Sequence, residues 1–393
     1  MDEGEKLPDE LRTFPYLRWY RIPEPQFPIN GAAISDDGGR AVAATFLGDY
    51  GTKSPSFSSP VLNTYSVYCW DRLGKRLWRD QWTGFEGAFA VAISGDSTVA
   101  AAGGWMQEGV GFIRAYNAED GQQFVTYDIP SRVNSLALSA DGSVLAAAAN
   151  DAYLAGQTSG VFPAKPAAVG LAAGTIVETI AMPSDGSAFV MGDHTGNVTY
   201  VENNGGAIGS KYTWAGQTAI GPVHSVAFSA DGNWFAAVGD SQSVYLFNLD
   251  SVKQNKYAAT LNLDDSDRMR WVSVSADGSF LTVAGNVGDG GLVYGLQNKD
   301  GALTQLWKAT TRANPNSAST DAKGKYVVVG TGYTVNKVGG GYALFDGATG
   351  RSLWRVHVQQ MAWPCFISAD GSGIIAGSDY GAVYYMTPGA VPE

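Results

Sequence analysis

A four-residue turn, Ser-x-Asp-Gly, recurs along the whole chain between two apolar runs, and this recurrence constrains the fold more than any other feature. Clear copies are Ser139-Ala140-Asp141-Gly142, Ser229-Ala230-Asp231-Gly232, Ser275-Ala276-Asp277-Gly278 and Ser368-Ala369-Asp370-Gly371. Looser copies are Ser35-Asp36-Asp37-Gly38, Ser94-Gly95-Asp96-Ser97, Pro183-Ser184-Asp185-Gly186 and Ser319-Thr320-Asp321, the last running on as Ala322-Lys323-Gly324. The aspartates Asp37, Asp96, Asp141, Asp185, Asp231, Asp277, Asp321 and Asp370 lie 44 to 59 residues apart. Asp suits such a turn because its carboxylate bonds the amides just ahead, and Gly because it accepts positive φ. A period of this length is one four-stranded propeller blade. Eight anchors therefore predict an all-β, single eight-bladed β-propeller of four-stranded antiparallel blades. Residues 150–175, rich in Ala, Gly and Pro, leave strands C and D of the third unit open; without that unit the ring has seven blades.

Composition agrees. With 50 Gly, 16 Pro and only 16% charged residues, the chain reads as short strands joined by tight turns rather than helices with charged outer faces. The net charge of −11, with Lys and Arg never clustered, argues against a nucleic-acid partner. No apolar run approaches the roughly eighteen residues of a membrane span. The stretch Met1-Asp2-Glu3-Gly4-Glu5-Lys6 is acidic and polar, so no signal peptide is expected in it. Cys69 and Cys365, the two cysteines, exclude a disulfide framework and read as buried thiols.

Each unit divides into strands A to D. In the fifth, the expected strands are 223–229, 234–239, 243–248 and 256–263. The eighth has A (363–368), B (373–377) and C (382–386) and lacks an outer strand. Residues 17–22, Leu-Arg-Trp-Tyr-Arg-Ile, are expected to supply it and close the ring, which removes an exposed sheet edge. The domain division is then a solvated N-terminal tail, 1–16, and the propeller, 17–393.

Several C–D hairpins carry a second signature: Phe345-Asp346-Gly347-Ala348-Thr349-Gly350-Arg351-Ser352-Leu353-Trp354, Trp70-Asp71-Arg72-Leu73-Gly74-Lys75-Arg76-Leu77-Trp78, and Tyr116-Asn117-Ala118-Glu119-Asp120-Gly121. This resembles the Asp-Ala-x-Thr-Gly-x-x-x-Trp docking motif of the pyrroloquinoline-quinone-type, eight-bladed propellers. The Ser-x-Asp-Gly turns look like those of WD-repeat propellers. The quinone-type resemblance implies a Trp packed flat between blades. It also implies one of two functions: a quinone-dependent dehydrogenase with calcium, or a non-catalytic member such as a propeller lipoprotein of outer-membrane assembly. The dehydrogenases tend to carry adjacent cysteines over the cofactor, whereas Cys69 and Cys365 are far apart here.

Aligning strand A on the anchor exposes one column that does not repeat. Five residues upstream it reads Asn30, Phe89, Asn134, Glu178, His224, Arg270, Asn314 and Trp363, and two positions earlier Arg132, Arg268 and Arg312 share a column. These residues begin strand A and should ring one channel mouth, together with the B–C loops 48–63, 104–111 and 333–341. Such a ring reads as a pocket for a polar or anionic ligand, or as a solvated rim. Glu178 and His224 are the candidates for an acid–base pair. His194, His224 and His357 occupy different blade positions and do not suggest a metal site. The stretch 262–267, Asn-Leu-Asp-Asp-Ser-Asp, is either a calcium loop or a solvated D–A loop.

Two functions follow. The first is a non-catalytic binding or assembly module whose loop-rich mouth meets a partner protein or a polar or anionic ligand, with Phe89, Trp105, Tyr333 and Trp363 as aromatic anchors. The second is an enzyme or cofactor protein, most specifically a quinone-type oxidoreductase, acting at the same mouth. Low charge and the resemblance to periplasmic propellers lead to an extracytoplasmic location as the expectation.

Overall fold

Eight separate four-stranded antiparallel sheets form the molecule. The computed structural model describes residues 11, 13–23, 27–46, 64–83, 85–106, 110–332, 340–358 and 361–391. Blades 1 to 7 span 29–83, 85–129, 135–168, 177–215, 223–262, 268–311 and 315–357. Blade 8 combines 362–386 with the strand Leu17–Arg21. The third unit is a blade, which settles the count at eight, but its strand D is only Ala167–Ala168. In blade 5 the observed strands are Val223–Phe228, Phe235–Gly239, Ser243–Phe247 and Ala259–Asn262. Its C–D hairpin holds a short helix, Leu249–Lys253, capped by Asn248 and not foreseen from the repeat. Among the described residues no helix is long and apolar enough to cross a membrane.

The A–B turns behave as their chemistry demands. Anchor hydroxyls donate to the turn carboxylate at 2.6–2.8 Å in Ser35–Asp37, Ser94–Asp96, Ser139–Asp141, Ser229–Asp231, Ser275–Asp277 and Ser368–Asp370. The next position has positive φ in every blade, filled by Gly except for Ser97 in blade 2. The residues that follow the anchors close a circle of eight backbone hydrogen bonds, from Asp36 N–H to the Gly95 carbonyl round to Asp370 N–H to the Asp36 carbonyl.

That circle corrects the alignment of blade 7. Ala322 stands in it beside Ala276 and Ala369, and the positive-φ glycine is Gly324, whose N–H donates to the Asp321 carbonyl. Asp321 therefore occupies the anchor's place, and its carboxylate accepts from Tyr326 N–H at 2.7 Å as Ser139 Oγ does from Val144. The column five residues upstream holds Asn316 in this blade rather than Asn314, and Arg312 leaves the arginine column.

Tryptophans of strand D lock neighbouring blades. Trp78 donates Nε1–H to the Ala118 carbonyl at 3.0 Å and lies over Gly121; Trp307 does the same to Gly347 at 2.6 Å over Gly350, and Trp19 to Arg72 at 3.1 Å over Gly74. A Cβ at any of these three glycines would sit 2.6–2.7 Å from the indole, and all three have positive φ. Trp354 differs, because blade 8 takes its strand D from the N-terminus and so has no C–D hairpin to receive an indole. Phe14 and Tyr16 cover that ring instead, with centroids 5.3 and 5.9 Å away, and Leu11 is buried beside them. The expected tail 1–16 is thus not wholly solvated: of its described residues, Leu11, Phe14 and Tyr16 pack on the core.

Candidate functional site

The central channel widens at the face where strands A begin, into a cavity of about 470 Å³ lined by strand-A residues of all eight blades. Along the wall small residues alternate with the apolar ones one and three before the anchor, because eight strands converge on one axis.

Hydroxyls seal most of these inter-blade seams. Ile180 N–H donates to Ser135 Oγ, Val226 N–H to Thr179 Oγ1, Val272 N–H to Ser225 Oγ, Thr320 N–H to Ser273 Oγ and Ile367 N–H to Ser319 Oγ, at 3.2–3.4 Å. These bonds join blades 3 to 8 in sequence. From blade 8 through blades 1 and 2 to blade 3 the corresponding positions are Pro364 and Phe366, Gly31 and Ala33, and Ala90 and Ala92, none of which carries a hydroxyl. The seal is therefore broken along one contiguous arc.

The non-repeating column divides along the same line. Asn30, Phe89, Asn134 and Trp363 line the cavity, whereas Glu178, His224 and Arg270 do not. Asn30 is 2% exposed, and neither atom of its amide has a hydrogen-bond partner. Asn134 accepts from Arg132 Nε at 2.8 Å and donates to the Val177 carbonyl at 2.9 Å. Arg132 lies over the Phe89 ring, 4.6 Å from its centroid, and Phe89 faces Trp363 at 6.5 Å with a 56° tilt.

On the opposite arc the rim is cationic. His224 Nε2 lies 2.8 Å from Asp240 Oδ1, which Arg268 Nη1 approaches at 3.5 Å. Arg270 Nη1 stands 3.5 Å from His224 Nε2. A hydrogen on Nε2 that is donated to Asp240 leaves no lone pair there for Arg270, so the Arg270 contact is a close approach of donors. Burial pushes the Asp240 carboxyl up, but the His224 hydrogen bond and the charges of Arg268 and Arg270 outweigh it and hold the group below the usual carboxylate range. Asp240 was not foreseen. Its only sequence signal is its place one residue past strand B, where Asp379 also stands in blade 8.

The proposed acid–base pair does not form: His224 is engaged by Asp240, and the Glu178 side chain makes no hydrogen bond or ion pair. Arg312 stands apart from the column, its Nη1 3.5 Å from His357 Nε2 at the end of strand D in blade 7. Asn314 Oδ1 is buried without a partner. Trp105 is half-buried at the end of its strand B. Tyr333 and most of the loops 48–63, 104–111 and 333–341 lie outside the described residues. In the candidate calcium loop, Asp265 pairs with Lys308 at 2.7 Å and Asp267 accepts from Gly288 N–H at 2.8 Å.

A quinone–calcium site does not fit these residues. Cys69 and Cys365 are buried in blades 1 and 8, and burial pushes the Cys69 thiol up to about 12 and the Cys365 thiol higher still. Among the described residues no three His, Cys, Asp or Glu side chains converge as cation ligands.

A family model described as "WD domain, G-beta repeat" matches residues 210–248, from the end of blade 4 through strands A to C of blade 5. No curated protein matches the chain. Among solved structures, Sqt1 of Chaetomium thermophilum, bound to the N-terminus of ribosomal protein L10, is similar with a TM-score of 0.70 and 13% identity, over 94% of this chain and 98% of that one. The β-propeller domain of Myceliophteria thermophila Cps50 (Swd1) has a TM-score of 0.58 and 13% identity, over 76% of this chain and 95% of that one. At this identity they show the fold. The match supports the WD-repeat side of the expected resemblance and not the quinone-type side. It also corrects the expected extracytoplasmic location, which rested on periplasmic propellers: a WD-repeat match and a neighbour bound to a ribosomal protein point away from it.

Proposed function

We propose that this propeller is a non-catalytic binding and assembly module whose wide mouth receives an acidic segment of a partner protein. One observation carries the reading: in a chain of net charge −11, Arg268, Arg270 and His224 gather on one arc of the mouth around the carboxylate of Asp240. A cationic patch on an anionic molecule selects and steers an anionic partner. The partner bound in the Sqt1 structure, the N-terminus of a ribosomal protein, is a polypeptide segment, which is the kind of ligand suggested here.

The test uses a fluorescein-labelled peptide rich in Asp and Glu, titrated against the wild type and the Arg268→Ala/Arg270→Ala double variant at two salt concentrations. Affinity should fall at least about tenfold in the double variant and decline with salt in the wild type. Equal binding by both proteins would overturn the reading.

A further inference from the structure

We propose that the arc of the channel mouth formed by blades 8, 1, 2 and 3 is a separate subsite for an uncharged planar carboxamide. This deepens the reading of the wide mouth as a binding site and rests on it.

The argument starts from Asn30. This residue is among those lining the cavity, is 2% exposed, and has neither a donor nor an acceptor for its amide. A polar group buried without a partner destabilises the fold, and a ligand that pairs with it regains that loss. Asn134 occupies the same place two blades on and is fully engaged, by Arg132 on one side and the Val177 carbonyl on the other. Asn30 lacks both partners. Pro28 stands where Arg132 does, and strand A of blade 2 opens with two register shifts, between Phe85 and Gly87 and between Ala88 and Ala90.

The broken seal adds a second observation. The amides of Val226, Ile180 and Val272, three before their anchors, are each capped by a hydroxyl of the preceding blade. The equivalent amides of Ala32, Val91 and Leu136 face Pro364, Gly31 and Ala90, which cannot cap them. The unpaired Asn30 amide, the seam amides without a hydroxyl cap and the half-buried rings of Phe89 and Trp363 thus fall on the same arc of one cavity.

The chemistry of Asn30 chooses among ligands. A side-chain amide presents one acceptor beside one donor edge, and a carboxamide presents the complement, so two hydrogen bonds form at once. A carboxylate would leave Oδ1 unpaired, and an ammonium group would leave Nδ2 unpaired. Phe89 and Trp363 supply the apolar wall for a ring carrying that amide. The Arg268 and Arg270 guanidinium groups stand on the other arc and do not line this cavity; Arg132, over the Phe89 ring and donating to Asn134, does not line it either.

Benzamide is the probe, with benzoate as its charged isostere, titrated into the full chain by calorimetry. The wild type should bind benzamide in the millimolar range and at least tenfold more tightly than benzoate. Asn30→Leu should lose at least tenfold in benzamide affinity, and Arg268→Ala/Arg270→Ala should keep it while losing the acidic peptide. Should Asn30→Leu melt early, Phe89→Leu at the rim serves instead, with a several-fold loss expected. Absence of benzamide binding, equal binding of benzoate, or full affinity in both Asn30→Leu and Phe89→Leu would overturn the proposal. Loss of the acidic peptide in the double variant with benzamide failing on the wild type would leave the cationic reading standing and this one refuted.

Discussion

Asp379 shows how one side chain sets a pH dependence. It stands just past strand B of blade 8 with Oδ1 buried and unpartnered, and burial pushes its carboxyl up to about 6. A carboxyl raised in the folded state stabilises the protein fully below its unfolded pKa of about 4, and that contribution is lost as pH rises through about 6. The shift corresponds to at most about 3 kcal/mol lost between acid and neutral pH. Asp379→Asn should therefore raise the melting temperature at pH 8 and leave it nearly unchanged at pH 4; an equal shift at both would refute the assignment. None of this was legible beforehand, because a Ser-Asp pair at a strand end looks the same whether its carboxylate meets solvent or a blade interface. The anchor Asp321 is the opposite case. Its neighbours Ser319 and Thr320 imitate the usual pattern, but a positive-φ residue three after the anchor, Gly in every blade except the second, is the constant feature. Counted by the positive-φ residues, the last two intervals, Gly278 to Gly324 and Gly324 to Gly371, become 46 and 47.

Among elements, the C–D hairpins act as sockets for the preceding blade. The indole of Trp78 needs both the flat floor at Gly121 and the carbonyl of Ala118, and it stacks on Tyr116 with centroids 5.2 Å apart. Trp78→Ala should cost about 3–5 kcal/mol, since a large buried ring is removed and the seam between blades 1 and 2 is left with a cavity. Denaturant unfolding of the variant would measure it, and a loss below about 1 kcal/mol would mean that the socket contributes little. The docking geometry was readable from the hairpin sequences even though the quinone-type family they resembled is not supported. A tryptophan over a glycine turn is a packing solution open to any propeller. Blade 3 was the least readable element, since a strand D of two residues leaves no alternation to detect.

For the whole molecule, the ring closes through a strand from the far end of the chain. Leu17–Arg21 pairs antiparallel with Val383–Met386, and Trp19 lies against both Trp70 of blade 1 and Tyr385 of blade 8. Deleting residues 1–21 would expose the edge of Val383–Met386 and uncover Trp354. The truncated protein should lose at least about 3 kcal/mol and aggregate through the bare edge. Melting curves and light scattering would test this, and an unchanged, monodisperse protein would show that the seam is dispensable.

What the sequence determined by itself was the architecture. A turn that must place an aspartate over backbone amides and a small residue at positive φ is a local requirement, and eight copies at blade spacing leave little else to build. The closing strand followed as well, because an eighth unit one strand short needs a partner. Only the tertiary structure decided which members of the non-repeating column act together. Asn30 and Trp363 lie at opposite ends of the chain yet share one arc, while His224 bonds an aspartate of its own blade rather than the neighbouring Glu178. Side-chain direction at a channel mouth depends on bulges, on the sealing hydroxyls and on the radius of the closed ring. Those are properties of eight sheets packed together, and no single repeat contains them.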